Sequence, residues 1–482
     1  MMLKKLLPLV LVLTTLSFYG QDALTSQLYE TYEKYKEPSL DKRRVKHVDI
    51  QPLIQQFDAN PKFKVQKVGE SIEGRNLNLI SIGTGKINVF LWSQMHGNEP
   101  TATQAIFDIL HFLDSQDFKT EKQDILSQLT LHFLPMLNPD GAEVFQRRNT
   151  LGIDINRDAL RLQSPEGRAL KRIRDSLNAD FGFNLHDQST YYNAELTDKP
   201  ATISYLATAY NYEKDINEIR ANAMKVIVYM NKIIQKYAPG QVGRYSDDFE
   251  PRAFGDNIAK WGTSLILIES GGYANDVEKQ EIRKLNYVSI LSALHTIAKG
   301  TFKSIPAEDY EKIPHNDRKL FDLKIANATY NLLGNEYILD LGIYRNEVDL
   351  TGHNDFYYRS SVGDQGDLST FYGYETFDAT GYTIVPPRLS TMENMTNPLE
   401  LLKDGVAYIK APLPEEKAWV DGPSHLVGED FKLGAFHLQP GVNPTFFLKK
   451  GDKITHAVIN GFLLDLSKPI ETQNFGNSLI YR

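Results

Sequence analysis

Four apolar runs of strand length in the first 300 residues each end on a polar cluster, and that coincidence limits the folds open to this chain. Ile87–Trp92 leads into His96-Gly97-Asn98-Glu99, and Leu129–Met136 continues through Leu137 into Asn138-Pro139-Asp140-Gly141. Asp180–Leu185 ends at His186, and Ser264–Ile268 ends at Glu269. Between the runs lie helical patterns. Ala102, Ala105, Ile106, Ile109, Leu110 and Leu113 recur near i, i+3, i+4, i+7, with Pro100 suited to the first turn. Longer helices are expected over about Tyr212–Tyr237 and Val277–Ala298. Strands alternating with helices predict an α/β domain, a mixed twisted sheet with helices on both faces. In such sheets the carboxyl ends of the strands are where sites are built. All four polar clusters fall there.

An imidazole and a carboxylate three residues apart can close on one metal ion from a turn, and zinc accepts both ligand types. A His-x-x-Glu pair also arises by chance in a chain of this composition, so His96 and Glu99 gain meaning only from the other clusters. The chain has no cysteine, which removes disulfides, thiolate ligands and cysteine nucleophiles. Any metal is therefore held by histidine and carboxylate. The net charge of -8 gives no basic stripe for nucleic acid.

At 482 residues two domains are expected. Lys4 and Lys5 precede an apolar run from Leu6 to Phe18, too short to span a bilayer comfortably. Residues 1–20 therefore read as a signal peptide, with an N-terminal anchor as the lesser alternative, and the expectation is export to the periplasm or beyond with no membrane span in the mature protein. Residues 21 to about 60 read as a charged amphipathic lead-in whose Tyr29, Tyr32 and Tyr35 pack. The pattern breaks at Lys299-Gly300 and Ile305-Pro306, placing a first domain, which carries all four polar clusters, at 21–302 and a smaller, mostly β accessory domain at 303–482.

Taken together the motifs resemble the zinc carboxypeptidase family (carboxypeptidase A-like metallocarboxypeptidases). They appear in that family's order: Ser71–Arg75 as S-x-E-G-R, His96–Glu99 as H-x-x-E, Asn138–Gly141 as N-P-D-G, then Arg147 to Arg157, a lone strand-end histidine, and a late strand ending in glutamate. The resemblance implies one zinc per chain, held by His96, Glu99 and His186, with Asp154 orienting His96. It implies Glu269 as general base and Arg147, rather than its neighbour Arg148, as the group that polarises the scissile carbonyl. It implies that Asn156 and Arg157 clamp a free α-carboxylate, so the expected substrate is a peptide with an open C-terminus. His132 lies mid-strand and reads as core. Tyr245 falls a little early for the family's substrate-covering tyrosine, and Asp256 either reads the substrate side chain or braces its loop.

Two other functions compete. A zinc amidohydrolase of the aspartoacylase type, acting on small acyl-amino acids or cell-wall peptides, also uses H-G-N-E. A binding protein on a decayed peptidase fold is the third reading; every predicted ligand and the base are present, which argues against it.

Overall fold

A computed structural model describes residues 23–391 and 397–482. The signal-peptide expectation for residues 1–20 lies outside the described residues. No helix among them is long and apolar enough to cross a membrane. The chain divides into two compact units between Arg318 and Lys319.

The first unit is built on an eight-stranded mixed sheet. Its strands are β1 (Lys64–Glu70), β2 (Asn76–Gly83), β3 (Ile87–Ser93), β4 (Leu129–Leu134), β5 (Phe181–Asp187), β7 (Ile203–Ala207), β8 (Val242–Arg244) and β9 (Ser264–Ser270). They lie in the order β1-β2-β4-β3-β5-β9-β7-β8. The four central strands, β4, β3, β5 and β9, run parallel. Every residue of β9 is buried, as expected of a parallel strand covered on both faces. One apolar core, with the helices Thr101–Asp114, Glu218–Tyr237 and Gln280–Lys299, fills one face. A second, with the helices Pro165–Leu177 and Phe254–Lys260, fills the other. The chain leaves β3 to pair with β4 on one side and, later, with β5 on the other, a topological switch point of the kind that opens a crevice at the strand ends.

Three boundaries differ from the sequence expectation. Pro100 is the N-cap of the helix Thr101–Asp114 rather than a residue inside its first turn. The helix expected from Tyr212 begins at Glu218, because the Asn217 side chain accepts from Arg220 N at 2.9 Å and caps it there. The last helix begins at Gln280, after Lys279 adopts a left-handed backbone at φ 53°.

The division between units also falls later than residue 302. Phe302, Tyr310 and Ile313 are buried in the first unit's core, and Asn316–Asp317 pairs with a short strand β6 (Asn193–Ala194). The Gly-Pro breaks at 300–306 thus mark a turn onto the surface of the same unit, not its end. The lead-in packs as expected: Tyr32 and Tyr35 are buried, and Tyr29 stacks on Tyr237. It is fastened by Arg283, which pairs with Asp108 at 2.5 Å with both side chains fully buried, and donates to Glu37 O at 2.9 Å.

The second unit is mostly β. An eight-stranded sheet is built around the hairpin Leu320–Leu332 and Asn335–Tyr344, with a separate five-stranded sheet beside it in the same unit.

Candidate metal centre

His96 follows β3 by three residues on a tight turn. Gln94 holds a left-handed backbone at φ 50°, and Leu137 N and Asn138 N donate to Ser93 O and Gln94 O at 3.0 Å each. The turn therefore lies directly on the Asn138–Gly141 segment. A Cβ at Gly97 would stand 2.0 Å from Gly141 C, so no larger residue fits without moving one of the two turns. The S-x-E-G-R segment braces the other side. Ser71 Oγ and Arg75 Nη1 donate to Asp140 Oδ1 at 2.6 and 2.7 Å, and Glu73 N donates to Asp140 Oδ2 at 3.0 Å. Two of the sequence motifs are thus scaffolding for a third.

On that scaffold His96, Glu99 and His186 come together, all buried, with their ligand atoms within 4.8 Å of one another. Glu99 Oε1 lies 2.8 Å from His96 Nδ1, and Glu99 Oε2 lies 2.7 Å from His186 Nδ1. Burial raises the Glu99 carboxyl, but the facing histidines more than offset it and hold it below its ordinary range. Burial lowers His186, whose Nε2 is buried without a hydrogen-bond partner. For His96 the attraction of Glu99 and Asp154 outweighs the desolvation and leaves it raised.

The donor set fits zinc. His96 Nε2 lies 3.1 Å from Asp154 Oδ1, and an ionised carboxylate can only accept. In the neutral ring this puts the proton on Nε2 and the lone pair on Nδ1, where it faces the carboxylate oxygen of Glu99. Two acceptors at 2.8 Å are reconciled by a cation between them, and a partner carboxylate that fixes the tautomer is the usual support for a ligand imidazole. Two imidazole nitrogens and one carboxylate also leave a fourth zinc position open.

Arg147 reaches the same cluster: Nε donates to Asp154 Oδ2 at 3.0 Å and Nη1 to Glu99 Oε1 at 3.3 Å. Arg148 turns away and donates to Gly152 O at 2.8 Å. His132 is also outside the cluster, on β4 beside Ser81 Oγ at 2.8 Å, and burial pushes it down to about 4.

Glu269 lies on β9 in register with His186 on β5. Burial, then the charges of Glu99 and Asp187, raise its carboxyl well above the ordinary value, with Arg147 and Lys279 opposing. Asn156 uses its amide oxygen to accept from Phe254 N at 2.9 Å, which leaves its NH2 group available. Arg157 is partly exposed, with Nε 3.7 Å from Glu250 Oε2. Asp256 accepts from Glu250 N at 3.1 Å, so it does brace the loop, and burial lifts it to about 6.

Sequence reading set Tyr245 aside. In the structure it follows β8, its ring meets that of Tyr192 edge-on at 6.2 Å, and burial followed by the charge of Glu269 raises its hydroxyl. Asp187 and Lys279, whose side chains are nearly covered beside the cluster, were missed entirely. No local pattern links two residues so far apart in the chain.

A buried trio of two histidines and a glutamate, backed by an aspartate and an arginine, defines a candidate mononuclear metal site. Residues 50–164 match the zinc carboxypeptidase family, Peptidase_M14. The matched segment holds His96, Glu99, Arg147, Asn156 and Arg157. Among relatives, carboxypeptidase E of Caenorhabditis elegans is 31% identical over 113 residues, 19% of this chain and 24% of that protein. Carboxypeptidase SOL1 of Arabidopsis thaliana is 25% identical over 228 residues, 40% of this chain and 45% of that protein. The chain thus spans under half the length of these relatives. A metallo-carboxypeptidase from Burkholderia cenocepacia aligns with a TM-score of 0.44 and 16% identity over 53% of this chain and 69% of that one.

Proposed function

We propose that the first unit is a zinc-dependent metallocarboxypeptidase that hydrolyses the C-terminal peptide bond of peptides with a free α-carboxylate. The observation that carries this reading is the convergence of His96, Glu99 and His186 within 4.8 Å, with Glu269 in register beside His186.

His96 Nδ1, His186 Nδ1 and the Glu99 carboxylate would hold one zinc per chain. When bound, zinc supplies Lewis acidity to an attacking water and to the scissile carbonyl. Glu269 takes a proton from the attacking water and returns it to the leaving amine; its raised affinity for a proton suits both halves of that task. Arg147, in reach of Glu99 and Asp154, donates to the carbonyl oxygen as negative charge develops there. The Asn156 amide and the Arg157 guanidinium bind the substrate carboxylate, with the planar fork of Arg157 suited to two parallel hydrogen bonds. Glu250 beside Arg157 is displaced or shared when that carboxylate arrives. The basic and apolar pattern of residues 1–20 supports export, which N-terminal sequencing of the exported protein tests.

The test is turnover on a panel of peptides and acyl-amino acids by wild type and Glu269→Gln, with metal content measured on both. Wild type trims single C-terminal residues and ignores peptides with amidated C-termini. Glu269→Gln keeps its zinc and loses about 10²- to 10⁴-fold in kcat. Cleavage of acyl-amino acids in preference to peptides would replace the carboxypeptidase reading with an amidohydrolase one.

A further inference from the structure

Beside the metal trio, two site-bearing strands meet on one buried ammonium, and a third segment joins them through Asp187. Lys279 Nζ donates to Asp187 Oδ2 at 3.1 Å and to Ser270 O at 2.9 Å. Asp187 directly follows His186 on β5, and Ser270 directly follows Glu269 on β9. The two pairs are neighbours in register, His186 with Glu269 and Asp187 with Ser270. Asp187 Oδ2 also accepts from Thr101 Oγ1 at 2.6 Å, two residues beyond Glu99, and Asp187 N donates to Glu99 Oε2 at 3.3 Å. The Lys279 and Asp187 side chains are only 6% and 7% exposed.

A buried ion pair is a poor source of stability, because desolvating both charges offsets most of their attraction, and apolar residues of the same volume serve as well or better. Lys279 also holds a left-handed backbone, which a residue with a side chain rarely adopts and which persists only where its surroundings impose it. Both features are accounted for by geometry. The ammonium ties the end of the strand that carries Glu269 to the end of the strand that carries His186. Through Asp187 and Thr101 it ties both to the segment that carries Glu99.

We propose that Lys279, acting with Asp187, is a positioning residue that fixes the separation of Glu269 from the metal ligands. It touches neither substrate nor metal. This inference rests on the carboxypeptidase reading for Glu269, but the fastening itself is visible without it. Misplacing a reacting group by about 1 Å costs on the order of 10²-fold in rate while leaving binding of the rest of the substrate unaffected.

The experiment compares wild type, Lys279→Met and Lys279→Arg in the full chain. It reads zinc affinity by chelator competition, kcat per bound zinc, KM, and the position of the Glu269 carboxylate in crystals of each variant. Lys279→Met is expected to bind zinc within threefold of wild type, keep KM within twofold, and lose about 30- to 100-fold in kcat, with the Glu269 carboxylate displaced. Lys279→Arg, which keeps the charge and the donors, is expected to recover at least tenfold of that loss. A Lys279→Met kcat per zinc within threefold of wild type overturns the proposal. So does a loss of activity that merely follows loss of zinc or of fold, or a Glu269 carboxylate that stays in place. A wild type inert on every peptide would sink the carboxypeptidase reading instead, and the crystal positions would still report on the fastening.

Discussion

His425 in the second unit is as deeply buried as His186 in the first, yet the two rings keep opposite company. His425 accepts from Leu479 N at Nδ1, 2.8 Å away, and faces Thr445 Oγ1 from Nε2 at 2.9 Å, so both nitrogens are satisfied by neutral groups. Burial pushes it down to about 3, and it remains a neutral brace between strands. His186 faces one carboxylate oxygen of Glu99 across 2.7 Å, with a second histidine and an arginine converging on the other oxygen. Burial of a histidine therefore does not mark a site. Two buried histidines that share one buried carboxylate make a candidate site, because a cation held between them offsets the anion and uses the ring lone pairs.

The comparison is broken most directly by exchanging the outcomes. Glu99→Gln removes the carboxylate that His96 and His186 share, and should lower zinc affinity more than about 100-fold, measured by chelator competition. His425→Ala should leave zinc affinity unchanged within twofold. It strands two buried partners and should cost about 2–4 kcal/mol of the second unit's stability in denaturant unfolding.

Arg147→Ala should lower kcat by about 10²- to 10³-fold with metal retained if, as proposed, its guanidinium donates to the charge that develops on the carbonyl oxygen.

Acid sharpens the difference between the two kinds of histidine. His425 has its folded pKa depressed from about 6.5 to about 3, so the unfolded chain binds its proton first as pH falls. Its contribution is present above pH 6.5 and declines below it, by roughly 1.4 kcal/mol for each unit until the folded pKa is reached. Unfolding of the second unit, followed by denaturant at pH 7, 6 and 5, should show stability falling with pH. In His425→Leu that part of the slope should vanish.

The smallest effect separates two adjacent arginines. Arg148→Ala should leave kcat/KM within twofold of wild type, since its guanidinium donates to Gly152 O at an exposed turn.

Much of the first unit could be read from the chain because its central strands are covered on both faces, so they appear as unbroken apolar runs that stop at polar residues. β9, with Ser264-Leu265-Ile266-Leu267-Ile268 before Glu269, is the plainest case. The helix Pro165–Leu177 went unread because its buried stripe, Ala169, Leu170 and Ile173, is narrow and set among six charged residues. β7 went unread because Ser204 interrupts it and Thr202 and Thr208 flank it, although all three are buried. The later unit boundary was hidden by Gly300 and Pro306, which break helix without ending a core. At the site, residues inside short motifs could be found, whereas the fastening of Thr101, Asp187, Ser270 and Lys279 exists only once three distant segments are side by side. Tyr245 falls between these cases, standing a little earlier before Glu269 than the family spacing puts its tyrosine.

The central claim is that the buried trio is a zinc centre. It is tested most directly by anomalous scattering at the zinc edge from crystals of the full chain grown with zinc. The account predicts one strong peak per chain, about 2.0–2.2 Å from His96 Nδ1, His186 Nδ1 and a Glu99 carboxylate oxygen. The absence of a peak there at saturating zinc, or a peak elsewhere with the trio left as an internal hydrogen-bonded cluster, would contradict it.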